Sequence, residues 1–86
     1  MAKVLVVDDE QEIAELVAVY LKAEGFTVQT FAAAQPALAA VEADPPDLAI
    51  LDVMLPDMDG FALCQRIRQR HLFPILMLTA RGEDMD

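Results

Sequence analysis

The chain has 86 residues, enough for one small domain that buries only about 60–65% of its unfolded surface. Hydrophobic residues make up 56% of it, which excludes intrinsic disorder. Fifteen acidic residues against six basic ones give a formal net charge of −9, so direct binding to nucleic acid or to an anionic membrane surface is not expected of this segment.

The first half of the chain alternates between strand and helix patterns. Residues 3–7 form a short apolar run that ends abruptly at acidic residues, which predicts a buried strand. Gly25 ends an amphipathic helix whose core-facing stripe has helical spacing and comprises Ile13, Leu16, Val17, Tyr20 and Leu21. Residues 26–31 alternate as a more exposed strand, and Pro36 opens an Ala-rich helix. The inward residues of that helix are Ala37, Leu38 and Val41.

The second half repeats the alternation. Residues 48–51 are a continuous apolar run closed by Asp52, and Gly60 precedes a helix. That helix carries Leu63, Cys64 and Ile67 on one face. Residues 75–78 predict a fourth buried strand. The order βαβαβαβ predicts an α/β fold with a parallel sheet and helices on both of its faces.

Cysteine use and hydropathy bear on location. Cys64 is the single cysteine, so an internal disulfide is impossible. The N-terminus lacks the layout of a signal peptide, and no apolar run approaches the length of about 20 residues that spans a bilayer. We expect a cytoplasmic protein that does not insert into membranes.

Acidic residues follow two of the predicted strands. Asp8 and Asp9 come after the first strand, and Asp52 ends the third. Ligand sites of open parallel sheets lie beyond the carboxyl ends of the strands, where the strand order reverses. If the first and third strands are neighbours, the three carboxylates share one crevice. Their mutual repulsion favours a hard divalent cation, and oxygen ligands with few carboxylates favour Mg²⁺ over Ca²⁺.

Asp52 is the candidate nucleophile of this crevice. A carboxylate can accept a phosphoryl group when a metal screens its approach to an anionic donor, and the Thr79 hydroxyl could bond the new phosphoryl oxygen. The alternative is structural, because an aspartate after a strand is often a helix N-cap, as Asp9 could be. A nucleotide hydrolase is excluded, since no G-x-x-x-x-G-K-[ST] segment exists.

Three segments together resemble the receiver domain of two-component response regulators. They are VLVVDDE at 4–10, LDVMLPDMDG at 51–60 and PILMLTA at 74–80. The resemblance implies a flavodoxin-like (CheY-like), doubly wound parallel sheet of strand order 2-1-3-4-5. It also implies a signalling domain, rather than an enzyme, in which a sensor histidine kinase phosphorylates Asp52.

The same resemblance implies roles for the residues of the site. Asp9 would bind Mg²⁺ directly, Asp8 would act largely through water, and the Met54 backbone carbonyl would complete the protein ligands beside Asp52. Thr79 corresponds to the switch hydroxyl. The phrase MLPD at 54–57 is similar to receivers that precede a winged-helix DNA-binding domain, so the expected output is transcription.

The chain departs from the family at its end. Receivers have five βα units, whereas this sequence stops after three and a half. We therefore expect residues 1–86 to be the N-terminal part of a receiver, with the strand-five lysine and any output domain absent. An open fourth strand predicts self-association, as a homodimer or by domain swapping. The alternative hypothesis is a binding module of the same fold that never takes phosphate.

Overall fold

A computed structural model describes residues 2–78, which form one parallel sheet with helices on both faces. In chain order the elements are β1 (Lys3–Val7), α1 (Gln11–Ala23), β2 (Thr27–Phe31), α2 (Ala34–Ala43), β3 (Leu48–Asp52), α3 (Gly60–Arg68) and β4 (Ile75–Leu78). This order confirms the predicted alternation of strands and helices. No helix within these residues has the length and apolar character needed to cross a bilayer.

The strand order among the described residues is β2-β1-β3-β4, with every pair parallel. The chain therefore winds outward from β1 in both directions, and β1 and β3 are neighbours at the point of reversal. Val7 lies opposite Leu51 in this pair. The residues that follow them, Asp8 and Asp52, consequently emerge side by side at one edge of the sheet.

The apolar core has two parts, one on each face of the sheet. Side chains alternate along β1, so Val4 and Val6 face α1 while Leu5 and Val7 face α2 and α3. All four valine and leucine side chains are at most 1% exposed. Burial on both faces is the reason that β1 is a continuous apolar run instead of an alternating one.

α1 buries a stripe that agrees with the predicted one only in part. Ala14 and Ala18 are buried, with Val17 and Leu21 packed against the same core, whereas Leu16 is 60% and Tyr20 70% exposed. The prediction that Leu16 and Tyr20 face the core was wrong. The small side chains of Ala14 and Ala18 face the sheet, and Leu16 and Tyr20 lie on the outward side of the helix.

β4 is less buried than its apolar sequence predicted. Leu76 is 56% exposed, and the other three residues of the strand are half-buried. Within residues 2–78, β4 pairs with β3 alone and forms an edge of the sheet. The prediction of a buried fourth strand was therefore wrong, whereas the expectation that this strand is an open edge agrees with the pairing among these residues.

The helix ends follow local chemistry. Gly25 adopts φ +94°, and the Gly25 and Phe26 amides donate to carbonyls of the last turn of α1, as predicted for a glycine that ends a helix. α2 begins at Ala34, two residues before the start predicted at Pro36. Pro36 is tolerated in this first turn because an N–H there would have no helical partner. In α3, Leu63 and Ile67 are buried and Cys64 is half-buried against them, as predicted.

Candidate functional site

Three carboxylates lie together where β1 and β3 end. One carboxylate oxygen each from Asp8, Asp9 and Asp52 lies within 4.8 Å of the others. Asp8 and Asp52 are buried, at 3% and 7% exposure, while Asp9 is exposed. The parallel pairing of β1 with β3 thus brings together the acidic residues that the sequence places 44 positions apart, at 8 and 52.

Asp8 is held by the strands and the turn around it. Its backbone N–H donates to the Phe31 carbonyl over 3.0 Å, and its Oδ1 accepts the Glu10 backbone N–H at 2.9 Å. Glu10 is the N-cap residue of α1, and its side chain makes no capping hydrogen bond. The alternative role of Asp9 as a helix cap is therefore wrong, and its exposed carboxylate is left facing solvent.

Asp52 is held by the turn that follows β3. Its Oδ1 accepts the Met54 backbone N–H at 3.4 Å, and the Gly60 N–H donates to the Val53 carbonyl over 2.7 Å. A Cβ on Gly60 would overlap the Asp52 carbonyl oxygen, so only glycine allows this close approach. The loop after β3 is thereby folded back tightly beneath the carboxylate.

The buried carboxylates at this edge of the sheet interact unfavourably when no cation neutralises them. Burial raises the pKa of Asp8 above its ordinary value, and the charges of Asp9 and Glu10 add to the effect. Burial likewise raises the pKa of Asp52, with the charges of Asp8 and Asp9 adding. Hydrogen bonds from the Glu10 and Met54 amides oppose these shifts in part. A bound cation would remove the repulsion that remains.

An open cavity of about 320 Å³ adjoins Asp8 and Asp9, and Asp52 is not among the residues that line it. It lies between the ends of β1 and β2 and the start of α1, and its lining residues are Asp8, Asp9, Gln11, Ala14, Thr30, Phe31 and Ala32. The charged groups that could bind a metal here are carboxylates, and oxygen ligands suit Mg²⁺ and Ca²⁺ better than Zn²⁺.

The structure also shows a residue whose role the sequence analysis missed. Asp57 accepts the backbone N–H groups of Ala34 and Gln35, each at 2.8 Å. These bonds hold the pKa of Asp57 below its ordinary value. The sequence signal that could have revealed this role is Ala33, because an apolar residue at the N-cap position cannot itself cap α2.

Thr79, the predicted switch hydroxyl, lies outside the described residues.

Fold and site together define a flavodoxin-like α/β domain with an anionic crevice at the topological switch point. Residues 4–86 match the family model of the response regulator receiver domain. The chain therefore belongs to the response regulator receiver domain family, as the three sequence segments predicted.

The relatives that it resembles are regulatory proteins. The chain is 60% identical over 84 residues to the regulatory protein VanRc of Enterococcus gallinarum, covering 98% of this chain and 36% of that protein. It is 48% identical over 85 residues to the alkaline phosphatase synthesis transcriptional regulatory protein PhoP of Bacillus subtilis, covering 98% and 35% respectively. The chain thus spans about a third of the length of these relatives.

Solved receiver structures share the fold. The chemotaxis response regulator CheY4 of Vibrio cholerae superimposes with a TM-score of 0.91 at 38% identity, covering 99% of this chain and 75% of that one. TrrA of Thermotoga maritima, solved in complex with Mg(2+)-BeF, gives a TM-score of 0.89 at 34% identity over the same shares. These likenesses confirm the predicted CheY-like fold class.

Proposed function

We propose that this chain is the phosphoacceptor part of a receiver domain in which a sensor histidine kinase phosphorylates Asp52 with Mg²⁺ as cofactor. The observation that carries the proposal is the convergence of the Asp8, Asp9 and Asp52 carboxylates at the switch point, with Asp52 buried at the end of a strand. The family membership supports it.

The residues present fit a magnesium ion. Asp9 and Asp52 would be direct ligands, Asp8 would act through a bound water, and the Met54 backbone carbonyl would supply a further oxygen. Burial raises the pKa values of Asp8 and Asp52, the neighbouring carboxylate charges raise them further, and a divalent cation would relieve the repulsion between those charges. Bound there, Mg²⁺ would neutralise negative charge as the phosphoryl group approaches. The magnesium complex of the related TrrA supports this choice of ion.

The proposed chemistry is a displacement at phosphorus. A carboxylate oxygen of Asp52 attacks the phosphorus of a phosphohistidine, the new P–O bond forms as the P–N bond breaks, and the departing imidazole nitrogen takes a proton. Asp52 is the nucleophile, and the Met54 amide that bonds its Oδ1 orients the carboxylate. Thr79 would contact the transferred group.

The proposed setting is a longer, cytoplasmic transcription regulator. Residues 1–86 correspond to the N-terminal part of a receiver, and the relatives of about three times this length include a transcriptional regulatory protein. We propose that the remaining receiver elements and a winged-helix DNA-binding domain belong to the same regulator, and that this segment contributes signalling rather than turnover or nucleic-acid contacts.

Chemical phosphorylation tests the proposal. Acetyl phosphate with Mg²⁺ should add one phosphoryl group to the chain, detected by intact mass, and Asp52→Asn should abolish the addition. Asp47→Asn is the matched control, because it makes the same change in an exposed carboxylate at the opposite end of the sheet. Labelling of the Asp52→Asn chain at the wild-type level would refute the assignment.

Self-association is a second candidate role. It is favoured by the exposed apolar side chains of α1, Leu16 and Tyr20. Exposed apolar patches promote pairing between copies. Sedimentation velocity over a concentration series should show growth from monomer to dimer. A single monomeric species at every concentration would contradict this role.

A further inference from the structure

Asp57 caps a helix to which it does not belong. α2 starts after Ala33, whose side chain offers no hydrogen-bond acceptor. The Asp57 carboxylate fills that role from the loop between β3 and α3, with Oδ1 on the Ala34 N–H and Oδ2 on the Gln35 N–H. The third helical position is Pro36, which has no N–H. One side chain therefore satisfies every free amide of these first three positions.

The loop that carries Asp57 is tightly fixed to the end of β3. It begins directly after Asp52, and Met54 faces Asp59 in an antiparallel bridge within it. The loop closes where the Gly60 N–H donates to the Val53 carbonyl. A displacement of Asp57 must therefore be transmitted to Met54 and to the end of the strand that holds Asp52.

The other end of the connection leads to Asp8. The Asp8 backbone N–H donates to the carbonyl of Phe31, the last residue of β2, and Ala34 follows only three residues later. From Asp8 the contacts run through Phe31 to the start of α2, across to Asp57, and along the loop to Asp52. The pairing of β1 with β3 holds Asp8 beside Asp52 directly, so the Asp57 bonds bear on the position of the loop after Asp52.

We infer that Asp57 is a positioning residue that ties the α2 N-terminus to the phosphoacceptor loop and so holds the Met54 part of that loop in place beside the metal-binding carboxylates. The inference rests on the proposed function, because Mg²⁺, with the Met54 carbonyl as a proposed ligand, is the probe of the position of that loop. Asp57 itself is absent from the group of carboxylates that meet at the site. Its effect on metal binding is therefore indirect, as for residues that orient ligands from behind.

Four variants, one of them a control, test this role through Mg²⁺ affinity, measured by calorimetric titration, and through thermal stability. Asp57→Ala should weaken Mg²⁺ binding about tenfold, the lower range for loss of a ligand-orienting partner. Asp57→Asn should bind more tightly than Asp57→Ala, because the amide oxygen still accepts one N–H. Equal loss in both would show a charge effect and overturn the inference.

Asp47→Ala is the matched control for the change of charge and of hydrogen bonding. The Asp47 carboxylate accepts the Lys3 backbone N–H at 2.7 Å, at the far end of the sheet from the acidic cluster. This variant should lose some stability and keep the wild-type Mg²⁺ affinity. An equal loss of affinity in Asp47→Ala and Asp57→Ala would overturn the inference.

A double variant separates capping from tethering. In Asp57→Ala/Ala33→Asp the new carboxylate can cap Gln35 locally, since residue 33 has the extended backbone of an N-cap (φ −149°, ψ 162°), and the number of acidic residues is unchanged. Thermal stability should return while Mg²⁺ affinity stays low. Recovery of both would reduce Asp57 to a simple cap and overturn the inference.

Amide exchange in metal-free protein keeps the test independent of the proposed function. The Gly60 N–H should exchange faster in Asp57→Ala than in wild type, because the loop bond to Val53 loosens, and it should stay fast in the double variant. Absence of Mg²⁺ binding by wild type would refute the metal site alone. An unchanged exchange rate of the Gly60 N–H in Asp57→Ala would overturn the inference that Asp57 holds the loop in place.

Discussion

The two ends of the central strand place carboxylates in opposite surroundings. At the start of β1, the Lys3 ammonium lies 2.8 Å from Asp44 Oδ2 and also donates to the Asp44 carbonyl. The Asp47 backbone N–H donates to the Lys3 carbonyl, and the Asp47 carboxylate accepts the Lys3 backbone N–H. At the end of β1, Asp8 and Asp52 are buried, and no lysine or arginine among residues 2–78 pairs with either.

The difference separates acidic residues that stabilise the fold from those that we propose to be functional. The acids at the start of the strand are exposed and paired, so their charges help to hold α2 and β3 beside β1. The acids at its end repel each other in a buried position, which costs folding free energy unless a cation binds. Unfavourable titratable clusters of this kind are typical of functional sites, where the local cost serves binding or chemistry.

The largest effect is expected on metal binding. Asp9→Ala removes a proposed ligand and a negative charge, and should weaken Mg²⁺ affinity at least about tenfold, or ~1.4 kcal/mol. Calorimetric titration would measure it. Asp44→Ala removes the same charge at the paired end of the sheet and should leave the affinity unchanged. Wild-type affinity in Asp9→Ala would remove the contrast between the two ends.

A smaller effect of opposite sign is expected on metal-free stability. Asp52→Asn removes a buried charge beside Asp8, and at pH 7 should raise the free energy of unfolding on the order of 1 kcal/mol, or a few degrees in Tm. The pKa of Asp52 is raised in the folded state. The free energy of unfolding is therefore highest at low pH, where Asp52 is protonated, and it falls as pH rises through that pKa.

The gain from Asp52→Asn should therefore be greatest at neutral pH and vanish near pH ~4, the ordinary aspartate range. Thermal unfolding in chelator across this pH range would measure it. The control is Lys3→Met, which breaks the exposed pair with Asp44 and should lower stability by less than about 1 kcal/mol, less still in high salt. A destabilised Asp52→Asn chain at pH 7 would contradict the electrostatic account.

Much of the fold was predictable because its signals are local. The apolar runs at 3–7 and 48–51 end at acidic residues, and Gly25 ends α1 with a positive φ, as predicted. The face of α1 was not predictable in this way. Ala14 and Ala18 carry little hydrophobic signal in a periodic pattern, yet their small side chains are what the close contact with β1 selects.

The candidate site divides in the same manner. The sequence by itself determined that Asp8, Asp9 and Asp52 follow strand ends, because the change from apolar run to acid is written in consecutive residues. Only the tertiary structure decided that they lie within 4.8 Å of one another, that two of them are buried, and that Asp57 caps α2 from 23 residues away. Strand pairing and a hydrogen bond between distant segments depend on how the chain folds back, which no local pattern encodes.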